Sequence, residues 1–166
     1  MTFNFTRVNN IWAHSRGLGV SYSKFNPESK FRFSYFARAG YNVLPNNTGG
    51  IQNTVMGQAS GVNLTSGSNN TTVGYTSGQA LTTGAINTLI GQNAGAGVVG
   101  GTGNTAVGAG AGALISSGNN NICIGRDAGK TTTSGTQNIC IGFNNQTSSA
   151  STSNEIVIGN NITDRK

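Results

Sequence analysis

The sequence predicts an all-β protein, a parallel β-solenoid of seven to eight coils of 17 residues each. Two observations support this prediction. Glycines recur every 17 residues without an insertion, and each of them closes a short apolar run that begins with Asn or, in the last run, Glu. A fixed period of this kind means that identical structural units stack on one another. The repeat glycines are Gly57, Gly74, Gly91, Gly108, Gly125, Gly142 and Gly159.

Each repeat contains further glycines at fixed offsets. In the first full unit, Gly61 follows Gly57 by four residues and Gly67 follows it by ten, with the apolar Leu64 between them. Such glycines predict turns with positive φ, or places where a neighbouring backbone comes too close for a Cβ. Each unit therefore consists of strand, turn, short strand and turn, which is one coil of a solenoid.

The two faces of the strand have different side chains. The residue before each repeat glycine is always apolar, as at Met56 and Ile90. The residue two positions before it, such as Thr54, lies on the same face and is Thr or Ile. We assign this face to the coil interior because strand residues alternate between faces. The opposite face, which includes Val55 and Leu89, is also small or apolar. We therefore expect association of several copies to bury it.

A row of threonines lies on the face assigned to the interior. Regularly spaced threonines also suit an ice-binding surface, but an interior position argues against that function. The row consists of Thr54, Thr71, Thr88 and Thr105.

The asparagines that open the runs are expected to stack in register and to form an amide ladder with a structural role. They are Asn53, Asn70, Asn87, Asn104, Asn121 and Asn138. Cys123 and Cys140 are also one period apart, so their Cα atoms should lie about 4.8 Å apart, within disulfide reach. Directly paired parallel strands give poor torsions for a bridge, and we expect buried free thiols.

The chain divides into a basic aromatic anchoring or capping arm at 1–38, the repeat region at 39–161 and a tail at 162–166. Much of the net charge of +6 lies in the arm, whereas no charged residue occurs from Ala39 to Gly125. Gly40 and Gly50 fit a degraded additional coil, so the solenoid should begin near Phe36.

The arm is expected to be strand-rich and to anchor the protein. Its residues Trp12, Phe31, Phe33 and Tyr35 are the candidates for docking, since polar and aromatic residues alternate from 30 to 35. This alternation suits an edge strand that adds to the sheet of a neighbour. The cations are too sparse for us to expect nucleic acid as a partner.

The sequence does not predict an enzyme, a cofactor or a metal site. One histidine and four carboxylates offer no paired catalytic groups, and two cysteines with that histidine make a poor metal set. The string from Gly125 to Thr131 is one residue short of a phosphate-binding loop, and the dinucleotide pattern of 95–100 lacks its strand–turn–helix context. Without an export signal or membrane span, synthesis in a host cytoplasm is expected.

The repeat resembles a known family. The unit Asn-Thr-x-Ile/Val-Gly-x-x-Ala-Gly, with Thr/Ser-x-Gly and an Asn-rich return, is similar to the repeats of trimeric β-roll proteins. These include the heads of trimeric autotransporter adhesins and the shafts of bacteriophage and large-DNA-virus fibre or appendage proteins. The resemblance covers 40–161 and implies a homotrimer. The missing export signal, stalk and anchor argue against a bacterial surface adhesin.

From the resemblance and the arm together we expect a structural virion component. It would be a minor capsid, fibre or tail element, docked to other virion structural proteins through residues 1–38. The alternative is a glycan- or surface-binding, adhesin-like module. In that case host glycans would contact the polar outer surface, with Tyr75 and Phe143 just after their repeat glycines.

Overall fold

The computed structural model describes residues 36–159, which form a parallel β-solenoid with one strand in each coil. The second, short strand predicted for each coil is replaced in these residues by turns and bends, as around Leu64 and Leu81. The described region contains no helix, and so none that could cross a membrane. Eight strands pair in chain order. They are β1 Phe36–Ala39, β2 Asn53–Met56, β3 Thr71–Val73, β4 Thr88–Ile90, β5 Thr105–Val107, β6 Ile122–Ile124, β7 Ile139–Ile141 and β8 Ile156–Ile158.

The register of the sheet equals the sequence period, which confirms the predicted fold class. Phe36 pairs with Asn53, and Cys123 pairs with Cys140, each partner being 17 residues further on. The first strand begins at Phe36, inside the segment assigned to the arm. The arm residues Trp12, Phe31, Phe33 and Tyr35 and the tail 162–166 lie outside the described residues.

Close contact between successive coils explains two classes of glycine. Gly108 has a φ of 132°, and a Cβ there would lie 2.6 Å from the carbonyl group of Gly125. Gly101 would place its Cβ 2.5 Å from the carbonyl oxygen of Gly118. Real Cβ atoms do not approach backbone atoms this closely. The next coil of the stack therefore excludes a side chain from both positions.

The assignment of the strand faces in the sequence analysis was wrong. Val55 and Leu89 are fully buried inside the coil, whereas Met56 and Ile90 are 44% and 38% exposed. The interior is narrow, because a Cβ added at Gly95 would lie 2.5 Å from Leu89 Cδ2. The inner row of the strand varies from Ala106 to Leu89, whereas the outer row before each repeat glycine is always Met, Val or Ile.

The hydrophobic core consists of three rows that run along the solenoid axis. The inner strand positions form the first row, represented by Val55 and Leu89. A second row begins with Leu64 and Leu81, and small residues such as Ala94 form a third. Each core residue thus packs against its equivalents in the coils before and after it.

The residue before each ladder asparagine adopts a left-handed conformation. At Asn69 φ is 60°, at Gly103 it is 71° and at Asn120 it is 55°, and Asn and Gly tolerate this region well. Ile86 occupies the same position with a φ of 59°, although it is β-branched and 62% exposed. This residue therefore carries backbone strain without a compensating buried side chain.

We predict that Ile86→Asn stabilises the fold by about 1 kcal/mol, because it relieves the left-handed strain and loses little buried surface. Chemical denaturation measures the shift of the unfolding midpoint. Ile86→Val is the matched control, since it keeps the β-branch and should give no gain. Equal unfolding midpoints for Ile86→Asn and the natural chain would contradict the claim that Ile86 carries backbone strain.

Candidate interaction surface

The outward strand face is the largest regular apolar feature of the described region. Its first row is threonine in β2 to β5 and isoleucine in β6 to β8, and its second row is apolar throughout. The first row is Thr54, Thr71, Thr88, Thr105, Ile122, Ile139 and Ile156. The second row is Met56, Val73, Ile90, Val107, Ile124, Ile141 and Ile158. Neither row contains a charge, so this face can meet an identical face without electrostatic repulsion.

This face also corrects the interpretation of the threonine row. Thr54 and Thr88 are half-buried on the outer surface, so the predicted interior position does not exclude contact with water or with another surface. The hydroxyl and methyl groups recur once per coil along the axis. The reason given against ice binding therefore does not hold.

The strand face alone is small for a stable interface. Seven strands at 4.8 Å spacing and three residues in width give about 300 Å², whereas a stable complex buries about 800 Å² per partner. The adjoining corner adds large side chains directly after the repeat glycines. There Tyr41, Tyr75 and Phe143 are all exposed. Sequence reasoning named the last two and missed Tyr41, although it occupies the same register position.

A hollow of about 230 Å³ lies on the same corner. It forms because Ala109 and Gly110 are small while their equivalents in both neighbouring coils are longer, and because Ala113 is followed by Lys130 in the next coil. Its polar lining is Gln92, Asn93, Arg126, Asp127 and Lys130. Sequence reasoning missed this hollow. The sequence could have indicated it, because Ala109 and Gly110 are smaller than the residues at the same repeat positions in the two adjoining coils.

The charges of this corner pair with one another. Asp127 Oδ1 lies 3.2 Å from Lys130 Nζ, and Asp127 Oδ2 lies 3.8 Å from Arg126 Nε. The Arg126 guanidinium also stands 4.3 Å from the centroid of the Phe143 ring. These exposed pairs contribute at most about 1 kcal/mol each. They hold the side chains in place around the hollow and do not resemble an acid–base pair.

The ladder asparagines are buried and make bonds with all their polar side-chain atoms. Asn104 Oδ1 accepts bonds from the backbone N and the Nδ2 of Asn121, at 3.0 Å and 3.1 Å. Its own Nδ2 donates to Gly118 O at 2.8 Å and to Asn87 Oδ1 at 3.2 Å. The inner members of the row, from Asn70 to Asn121, repeat this pattern, so each of these amides ties three successive coils together.

The two cysteines are buried free thiols. They pair directly across β6 and β7. The hydrogen bond with Cys140 and burial raise the pKa of the Cys123 thiol well above its usual range. The Cys123 thiol therefore stays neutral at pH 7, and a neutral buried thiol is a poor nucleophile.

The described residues contain no cluster of histidine, cysteine and carboxylate side chains that could hold a metal ion. What the fold and this surface define is a parallel β-solenoid repeat protein with one uncharged apolar side. No protein-family model matches the sequence, and no curated protein or solved structure matches it significantly.

We predict that Asn104→Ala destabilises the fold by at least about 3 kcal/mol, because it leaves several buried polar groups without partners at about 1–3 kcal/mol each. The midpoint of chemical denaturation measures this loss. Asn63→Ala is the matched control, since exposed Asn63 donates one bond to Gln79 O and should cost below about 1 kcal/mol. Equal losses at the two sites would refute the ladder as a source of stability.

Proposed function

We propose that this chain is a structural protein whose solenoids associate side by side as a homotrimer, in a minor capsid, fibre or tail element of a virion. The observation that carries the proposal is the uncharged apolar strand face, which exposes regular rows of isoleucine and methionine in a described region rich in Asn, Thr, Ser and Gly. Contiguous exposed apolar surface of this kind marks an interaction site.

The strand face suits another copy of the same chain. All copies present the same rows at the same strand spacing, so side chains of two or three parallel solenoids can interdigitate along their whole length. The threefold arrangement, the virion and the docking of residues 1–38 to other virion proteins rest on the resemblance to trimeric β-roll repeats. Association would remove from water the large side chains that the fold leaves outside, such as Ile122 and Ile124.

We predict that the natural chain sediments as a trimer and that the double variant Ile122→Thr/Ile124→Thr dissociates at least tenfold more readily. Each isoleucine removed loses about 1 kcal/mol or more of burial in every protomer, and about 1.4 kcal/mol corresponds to a tenfold change. Threonine already occupies the first row at Thr105, so the solenoid should tolerate it. Analytical ultracentrifugation over a concentration series measures the change.

The matched control is Val99→Thr/Leu114→Thr, which removes exposed apolar groups away from the strand face and should leave the trimer intact. A monomeric natural chain would overturn the proposed assembly. The threonine row would then be open to other ligands, and thermal hysteresis of the monomer would show whether ice is one of them. Copurification of the chain with virus particles tests the virion assignment separately.

A glycan-binding module is the second candidate function, and the hollow beside Phe143 favours it. Amides of Gln92 and Asn93 and cations of Arg126 and Lys130 line this hollow, and such groups can hold sugar hydroxyls and carboxylates. The exposed Phe143 ring stands next to it, on the side of Arg126. This candidate is compatible with a structural role, since the corner lies beside the strand face.

We predict that Ala109→Trp abolishes glycan binding, because an indole at this position fills the hollow. A high-density array of host-type glycans serves as the probe for the natural chain and the variant. Ala150→Trp is the control, since Ala150 is exposed and lies outside the hollow. Lack of binding by the natural chain, or equal binding by Ala109→Trp, would reject the hollow as a sugar site.

A further inference from the structure

The coil at 142–158 departs from the repeat at three positions. Gln146 stands where inner coils have their second glycine, Thr152 stands where they have their third, and Glu155 stands in the asparagine row. In inner coils, the residues at these three positions contact the adjoining coils. All three departures therefore affect the stacking of a further coil.

Thr152 carries a side chain at a position where a following coil would leave no room for one. A Cβ at Gly101 would lie 2.5 Å from the carbonyl oxygen of Gly118, and a Cβ at Gly135 would collide with the carbonyl oxygen of Thr152 itself. Glycine is thus required at this position wherever another coil follows in the stack. The Cβ of Thr152 occupies the space in which the carbonyl oxygen of a following coil would lie.

The threonine side chain is held there by its own coil. Thr152 Oγ1 lies 2.7 Å from Ser149 Oγ and 3.1 Å from Ser148 Oγ, and it accepts a bond from Ser149 N at 3.1 Å. The position of the Thr152 Cβ is set by the backbone, so the obstruction stays whichever rotamer the side chain adopts. The hydrogen bonds of Oγ1 hold Thr152 against the turn at Ser148 and Ser149 of its own coil.

Two of the backbone donors that inner coils direct to the next coil are used within this one. The amide of Gly97 donates to Ala113 O at 2.8 Å in the following coil, and the equivalent amide of Ser148 donates to Glu155 Oε2 at 2.8 Å. The amide of Thr152 donates to Ser149 O in its own coil at 3.3 Å. Two donors that would recruit another coil are thus already satisfied.

Glu155 and Gln146 complete this arrangement. Asn138 Oδ1 accepts a bond from the backbone N of Glu155 at 3.0 Å, but the Glu155 side chain turns to Ser148 and does not continue the amide ladder. Gln146 Oε1 turns back and accepts a bond from Thr131 N at 2.9 Å. Both side chains direct their hydrogen bonding away from a following coil.

We infer that residues 142–158 form a stop coil, which closes the C-terminal end of the stack against a further coil from this chain or from a second copy. The solenoid consequently has a fixed length, and copies cannot extend it end to end through this face. This inference is independent of the proposed trimer, because it depends only on contacts within one chain.

The experiment places one extra coil at either of two positions. A copy of residues 125–141 is inserted after Ile141 in one variant and after Ile158 in the other. Both insertions preserve the 17-residue register and have the same length and composition. Hydrogen exchange of the inserted segment, followed by mass spectrometry, then reports whether it joins the stack.

We expect the coil inserted before the stop coil to be protected and the coil inserted after it to exchange on the order of 100-fold faster, as an undocked segment does. Adding Gln146→Gly, Thr152→Gly and Glu155→Asn to the second variant should restore protection. Trypsin provides a second readout, because the copied coil contains an arginine and a lysine.

Protection of the coil inserted after Ile158 while Gln146, Thr152 and Glu155 are unchanged would overturn the inference. Continued fast exchange after the triple substitution would also overturn it, provided that circular dichroism shows an intact solenoid. If the triple substitution unfolds the chain, Glu155→Gln alone remains informative. Ser148 N donates to Glu155 Oε2 at 2.8 Å, and a neutral amide oxygen accepts a weaker bond than a carboxylate, so this variant should speed exchange at the Ser148 amide.

Discussion

The distance between successive coils is the constraint on which the rest of this structure depends. Each coil returns to the same place one strand spacing further on, so every residue has its own repeat equivalents as neighbours. At that distance no Cβ fits at Gly101 or Gly108, and a buried amide such as Asn104 bonds to Asn87 and Asn121. Like charges stacked at about 4.8 Å would repel one another, which accounts for the lack of charge from Ala39 to Gly125.

This constraint explains why the architecture could be predicted from the sequence. A contact that recurs once per coil imposes the same residue type once per period, so Gly57 to Gly159 and Asn53 to Asn138 reveal the stack directly. The hollow could not be predicted in this way. It depends on Ala109 and Gly110 being smaller than their equivalents in the two adjoining coils, which is a departure from the repeat and has no periodic signal.

The orientation of the strand was wrong because hydrophobicity was weighed above hydrogen bonding. The outer row that includes Ile90 and Ile124 is more apolar than the inner row, whose members include Thr72 and Ala106. The asparagines held the better signal. A buried amide that bonds to its equivalents in the neighbouring coils must face the interior, and strand alternation then puts Val55 inside with Asn53, and Met56 outside. The apolar outer row thereby changes from core to exposed surface.

In the proposed assembly, different residues control the two directions of growth. The proposed sideways contact would use the outer rows, and these continue into the stop coil as Ile156 and Ile158, both well exposed. Lengthwise stacking ends at Gln146, Thr152 and Glu155, none of which belongs to those rows. An exposed strand edge is a template for unwanted pairing, so a solenoid that offers an apolar side for assembly needs its end closed separately. In the proposed assembly, this separation would let the sides associate while the length of the stack stays fixed.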